Sequence, residues 1–205
     1  MKKLKFKKIA ENKIIKKNFE DSIQCKENFL NSIKNINNLV KILRIIKKKY
    51  SEGGKIYFAG NGGSASDSIH LSTEIVSKLS KNRKAIPSES LVANISTITA
   101  IANDYSYDKI FERQIEANLQ KKDIFFAITT SGNSKNIIKA LKMCKKRKIE
   151  SVLLTGHSGG IAKKYANHII NVPSSRTQTI QEVHILIGHC ICEVLEESIK
   201  KWKIF

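Results

Sequence analysis

The chain has 205 residues, 41% of them hydrophobic, and a formal net charge of +19. That length suits one domain with a full core, and no apolar run is long enough to cross a bilayer. The charge permits an acidic partner, but it is carried overwhelmingly by lysine spread along the chain with few aromatics interleaved. This does not favour nucleic acid as the primary partner; a positive field that speeds the arrival of an anionic substrate is the weaker and better-supported consequence.

Residues 1–17 form a basic N-terminal extension without a clear apolar face, which predicts an irregular start. Met1 to Lys8 opens like a signal peptide, but no apolar stretch or cleavage site follows, so a cytoplasmic protein is expected. From 18 to 50 the pattern is helical, in two segments, with Phe19, Ile23, Phe29, Ile33, Ile36, Leu39, Val40, Leu43 and Ile46 as the apolar stripe. Ser51-Glu-Gly-Gly54 ends it. Beyond that point short apolar runs alternate with helical stretches. Strands are expected at 55–59, 90–95, 123–128, 151–155 and 168–172. Helices are expected at 65–80, 97–103, 108–119, 134–147, 159–166 and 177–202. Such alternation predicts an α/β domain over 18–205 with a five-stranded parallel sheet covered on both faces. Ligands of open sheets of this kind bind beyond the C-terminal ends of the strands.

Three polar constellations fall near such ends. The first is Gly60-Asn-Gly-Gly-Ser64, a glycine-rich turn after the first strand, with His70 and Glu74 further down the following helix. The turn offers backbone N–H groups and a helix N-terminus to an anion or to sugar hydroxyls. The i,i+4 spacing of His70 and Glu74 puts imidazole and carboxylate on one face. The second is Thr129-Thr-Ser-Gly-Asn-Ser134, where four hydroxyls and a helix start converge as they do around a phosphate; Ser134 could equally be an ordinary N-cap. The third opens the last helix. There Gln181, His184 and Gly188 share a face, with His189 close to it, although a buried histidine is more often a core residue than a ligand. Asn103-Asp104 adds a polar pair after an apolar segment. Cys25, Cys144, Cys190 and Cys192 have neither metal-ligand nor disulfide-framework spacing, so reduced thiols are expected.

Taken together and in order, these segments resemble the phosphoheptose isomerase family. The residues carrying the match are Gly60 to Ser64 with His70 and Glu74, Ala102-Asn-Asp104, Thr129 to Ser134, Leu154-Thr-Gly156 with Gly159-Gly160, and Ile180-Gln-Glu-Val-His184 with His189. The resemblance implies the three-layer sugar isomerase (SIS) fold and conversion of sedoheptulose 7-phosphate to D-glycero-D-manno-heptose 7-phosphate, for lipopolysaccharide or capsule. It further implies sugar contacts from Asn61, Gly62, Gly63 and Ser64, substrate contacts from Asn103 and Asp104, and a 7-phosphate held by Thr129, Thr130, Ser131 and Ser134. Glu74 and Gln181 would also touch substrate. His70, Glu74, Gln181 and His189 would bind one Zn2+, and Glu74 and His189 would be the catalytic base and acid. A homotetramer with active sites near subunit contacts is implied too. Thr129 stands where many members have Ser, and Gln178 where some have Asp. Regulatory relatives that associate with a replication initiator lack the helix Glu and the final His, both kept here as Glu74 and His189. One geometric tension stands out. Gln181 and His189 are eight residues apart, a rise of about 12 Å on a regular helix, so both reach one ion only if their side chains lean together, the helix is irregular, or another chain contributes.

Overall fold

The computed structural model describes the backbone of residues 2–199 and the side chains of residues 10–198. In chain order the elements are α1 (Lys2–Leu30), α2 (Ile33–Ser51), β1 (Ile56–Gly60), α3 (Gly63–Val76), β2 (Ser88–Ser90), α4 (Ile95–Asp104), α5 (Ile110–Asn118), β3 (Ile124–Thr129), α6 (Lys135–Arg147), β4 (Glu150–Thr155), β5 (His168–Asn171) and α7 (Thr177–Ile199). Short 3-10 turns fall at Tyr107–Lys109 and Ala162–Lys164. The five strands form one parallel sheet in the order β2-β1-β3-β4-β5.

Strand residues are buried on both faces because helices cover both. Ile56, Phe58, Ile124, Phe126 and Leu154 join Leu71 and Ile75 of α3 and Val183, Ile187 and Ile191 of α7. Tyr57, Ala59, Phe125, Ala127 and Leu153 point the other way, onto Phe111 and Ile115 of α5 and Ile137 and Leu141 of α6. The period-two alternation of side chains thus divides each strand between two cores and gives three layers.

Several boundaries differ from the sequence reading, each for a local reason. Instead of starting irregularly, α1 is continuous from Lys2 and passes through residue 17 without a break. The expected divide within 18–50 is at Ser32, whose hydroxyl accepts from the Asn35 amide at 3.3 Å and caps α2. The strand expected at 90–95 is instead a three-residue edge strand, because Asn94 turns the chain and caps α4 through the Thr97 amide at 3.0 Å. The helix expected at 159–166 shrinks to one 3-10 turn between two positive-φ glycines, Gly159 and Gly160, and β5. Residues 200–202 of the expected last helix lie outside the described residues. The apolar stripe of 18–50 is only partly covered: Phe29 and Ile46 are buried, while Phe19, Ile23, Ile33 and Val40 are exposed.

Chain order creates the crevice. After β1 the chain crosses to β2 on one side, then returns to β3 on the other. The loops leaving β1 and β3 diverge to opposite faces, since α3 packs on one core and α6 on the other. Such a reversal point is where open parallel sheets bind ligands.

Candidate active site

Asn61 lies at the floor of the crevice. Its Nδ2 donates to Asn136 Oδ1 at 2.9 Å, and Asn136 Nδ2 donates back to Asn61 Oδ1 at 2.8 Å. Tyr107 donates its hydroxyl to the same Asn61 oxygen at 2.9 Å. Loops from β1, α4 and β3 therefore meet on one amide. Asn136 and Tyr107 carried no sequence signal: one reads as an ordinary helix residue, the other as a lone loop aromatic. Gly62, with φ +56°, supplies the backbone turn that starts α3. Ser64 is buried, whereas Gly62 and Gly63 are exposed. Asn103 and Asp104 close α4 as an exposed pair, the amide donating to the carboxylate at 2.9 Å.

The loop after β3 brings its hydroxyls together. Thr129 Oγ1 and Ser134 Oγ are 3.4 Å apart. Ser134 occupies the N-cap position of α6 but makes no side-chain capping bond. Its hydroxyl is thus not spent on the helix, which removes the ordinary-cap reading. Ser131 accepts from the Asn133 amide at 3.1 Å, and Thr130 accepts through its carbonyl from Gly156 at 3.0 Å. Gly132 is pressed flat on Gly159, where a Cβ would meet the Gly159 carbonyl at 2.2 Å.

The third group lies on the seam between α3 and α7. His70 Nε2 is 3.1 Å from His189 Nε2 and 3.1 Å from Glu74 Oε1, and His189 Nε2 is 3.7 Å from the same carboxylate oxygen. Among the described residues these three form a set whose ligand atoms lie within 4.8 Å of one another. Corners of a tetrahedral zinc shell at 2.0–2.1 Å stand about 3.3 Å apart, so the spacing and the N,N,O donor set fit that ion. Glu74 Oε2 is buried with no hydrogen bond. Asp67, one turn before His70, joins the group unforeseen: burial raises its carboxyl pKa, and the fields of His70 and His189 partly oppose the rise. Its i−3 relation to His70 was a signal available in the sequence.

Two helices approach closely enough to make this cluster because Gly188 has no side chain. A Cβ there would sit 2.3 Å from Leu71 Cδ2. Gln181 is placed differently. Its amide lies over Gly63, at 2.4 Å from where a Cβ would be, seven residues before His70 on α3. The two helices run side by side in the same direction, so Gln181 meets the crevice loop while His189 meets His70. His184, on the same helix, is fully buried. Burial pushes its imidazole pKa down to about 4, the Thr155 backbone opposing, so it stays neutral at pH 7. It is a core residue.

Outside the cluster, α1 holds the start of α7. Arg176 pairs with Asp21 and Asn18, and Glu182 with Ser22 and Lys26. The four cysteines are free thiols, and burial pushes Cys144 and Cys192 up to about 12.

A three-layer domain with a hydroxyl-rich loop at the reversal point and a His/Glu/His group on the α3–α7 seam defines a sugar-phosphate-handling α/β protein. The SIS domain model matches residues 19–156. The chain is 46% identical to phosphoheptose isomerase 2 of Campylobacter jejuni, over 92% of this chain and 94% of that protein. It is 44% identical to the phosphoheptose isomerase of Aneurinibacillus thermoaerophilus, over 92% and 95%. Its fold matches the solved phosphoheptose isomerase of Francisella tularensis with a TM-score of 0.87 at 31% identity, over 91% of this chain and 98% of that one. The chain belongs to the phosphoheptose isomerase family.

Proposed function

We propose that this protein isomerises sedoheptulose 7-phosphate to D-glycero-D-manno-heptose 7-phosphate, supplying heptose for a bacterial surface polysaccharide. The observation that carries the reading is the convergence of Glu74 on two imidazoles, in a chain that also carries a hydroxyl loop whose Ser134 is not spent on its own helix. Relatives of known name over more than nine-tenths of the chain support it.

The reaction moves a proton between C1 and C2 and shifts the carbonyl from C2 to C1, with no net oxidation. Glu74 takes the proton from C1 and returns it to C2 through a cis-enediol; a positioned, partly desolvated carboxylate is competent for this. His189 moves protons between O1 and O2. Thr129, Thr130, Ser131 and Ser134 hold the 7-phosphate, and Asn61, Gly62, Gly63, Asn103 and Asp104 orient the sugar. Zn2+ would be held by His70, Glu74 and His189, and when bound it supplies positive charge for the oxygens that gain electron density. Gln181 over Gly63 suits a sugar contact within its own chain. Its role as a fourth metal ligand needs a shift along the helix or a second subunit.

Phe19 and Ile23, one turn apart on α1, and Ile33 at the start of α2 are large apolar side chains left exposed. They support the homotetramer with terminal helices packed between subunits. Among the described residues no helix is long and apolar enough to cross a membrane, which fits the cytoplasmic site expected for an enzyme acting on a phosphorylated sugar.

The test is incubation with sedoheptulose 7-phosphate, detection of the aldose 7-phosphate, and metal analysis of the same preparation. Turnover that falls on chelation and returns with Zn2+ supports the whole reading. Full turnover in metal-free protein removes zinc from it, and absence of turnover in metal-replete protein removes the substrate.

A further inference from the structure

A second cavity, of about 650 Å3, lies away from the crevice, between α2 and the β5 edge of the sheet. That volume is in the range of small-molecule sites. None of the residues of the hydroxyl loop lines it. The segment His157–Gly160 separates the two sites: Gly159 and Gly160 pack on Gly132, whereas His157 faces the cavity.

The lining has an uneven chemistry. It contains Lys34, Lys41 and Lys163, with His157 and His168, and no carboxylate; the Lys163 ammonium donates one of its three N–H groups to the Ser158 carbonyl at 2.9 Å. Lys34 and Lys41 stand two turns apart on one face of α2, a separation of about 10.5 Å along the axis, and Lys163 is on the facing wall. Glu150 is held by the lining residue His168 at 3.1 Å. Asn35, Asn38, Asn167 and Asn171 also line it, and three of them each spend one of their two amide N–H groups on a backbone carbonyl. Asn35 donates to the Asn171 carbonyl at 3.2 Å, Asn38 to the Ile169 carbonyl at 3.4 Å, and Asn171 to the His157 carbonyl at 3.4 Å. The first two bonds cap carbonyls of the edge strand, and each of these amides keeps its oxygen as an acceptor and one N–H as a donor. Asn171 Oδ1 is buried and has no partner.

In a chain of net charge +19, lysines are expected on any surface. What distinguishes this cavity is the pairing of cations with acceptors. Ammonium groups recognise phosphate oxygens, and amide oxygens recognise hydroxyl donors. Inorganic pyrophosphate would satisfy only the first, and a neutral polyol only the second. We propose that this cavity is a second ligand site, separate from the isomerase crevice, for a polyhydroxylated molecule bearing two phosphate groups.

The test is calorimetric titration at about 150 mM salt, where loose surface attraction is screened. Fructose 1,6-bisphosphate is the probe, with pyrophosphate and sorbitol as partial mimics. Three proteins are compared: wild type, Lys34→Ala/Lys41→Ala/Lys163→Ala, and a control of equal net charge, Lys121→Ala/Lys145→Ala/Lys146→Ala. Each is also made in a Ser131→Ala/Ser134→Ala background, which weakens phosphate binding in the crevice. The bisphosphate should bind more tightly than pyrophosphate, and sorbitol should give no heat. The cavity triple should lose at least about tenfold in affinity in both backgrounds, while the control binds as wild type and sedoheptulose 7-phosphate turnover without probe is unchanged. Equal losses in both lysine triples would reduce the effect to net charge. Binding that disappears with the serines alone would place the probe in the crevice. Either result, or the absence of bisphosphate binding to wild type, overturns the proposal.

Discussion

Two glutamates lie toward the same end of the α3–α7 seam, both close to Arg83 and Cys192, and their surroundings are opposite. Glu196 of α7 is 1% exposed and fully occupied. It accepts from the amides of Leu79, Ser80 and Lys81 at 2.6, 3.1 and 3.0 Å, from the Ser80 hydroxyl at 3.1 Å, and from Arg83 Nε at 3.2 Å. Glu74 of α3 offers one oxygen to two imidazoles, while its other oxygen is buried with no nitrogen or oxygen donor and the Cys192 thiol interacts with the carboxylate. A carboxylate with every lone pair engaged is a fastener, whereas one with a spare oxygen beside two imidazoles can take a proton or a metal ion. The two are linked: Arg83, paired to Glu196, also donates to the Glu74 carbonyl at 2.8 Å. The fastener therefore fixes the backbone from which the reactive carboxylate projects.

The largest effect that would break this contrast is chemical. Glu74→Gln keeps the shape and removes the base, so turnover should fall by about 10²–10⁴-fold. The thermal midpoint should stay near that of wild type, because no buried hydrogen bond of Oε2 is lost. A variant that keeps its kcat, or that unfolds before it loses activity, would make Glu74 a structural residue like Glu196.

Glu196 should show the reverse pattern. Glu196→Ala leaves the Arg83 Nε–H and three amides without their acceptor, which costs about 3–5 kcal/mol, read by chemical denaturation. The pH dependence follows from the same bonds. Burial works against ionisation, but the amides of Leu79, Lys81 and Ser80 overcome it and hold the Glu196 carboxyl at about 2, against an ordinary 4.5. Its folded pKa is lowered, so its contribution is complete above pH 4.5 and is lost as pH falls toward 2. That contribution is roughly 3 kcal/mol. Glu196→Gln should be less stable than wild type at pH 7 and show a flatter loss between pH 4.5 and 2. Parallel acid profiles for the two proteins would remove Glu196 from its fastening role.

Legibility in the sequence followed the same divide between local and long-range causes. The parallel α/β class, the division of 18–50 into two helices (though not its place at Ser32) and the hydroxyl loop at 129–134 were readable, because periodicity and turn chemistry are local. The meeting of His70 and Glu74 with His189 rested on resemblance, since 119 residues separate the two histidines. The Asn61–Asn136–Tyr107 knot was not readable at all. It depends on strand order, which returns β3 to the side of β1, and nothing in residues 55–136 announces that order. The Glu196 fastener was equally silent: a glutamate inside a long helix reads as a solvated face until the 79–83 segment is seen to fold over it. Nor does helical spacing alone put Gln181 near His189's partners. The structure gives Gln181 to Gly63 instead.

The smallest change tests whether the seam's closeness matters to the chemistry. Gly188→Ala inserts one methyl where Leu71 already sits at 2.3 Å from the ideal Cβ. Leu71 is a flexible side chain but fully buried, so it has little room to turn, and overpacking of this kind costs about 1–3 kcal/mol. The helices should part slightly at the position where His189 faces His70. Zinc affinity and kcat should fall together, because both need His70, Glu74 and His189 within the same few ångströms. KM should move less, since the hydroxyl loop lies on β3 and α6, away from the seam. Leu71→Ala in the Gly188→Ala background returns the lost volume. If the helix spacing is the cause, this pair should recover metal binding and kcat relative to Gly188→Ala alone, even though neither residue touches substrate. If the double variant is poorer than either single one in kcat while metal content is unchanged, the close approach serves packing only, and the geometry of the cluster is set elsewhere.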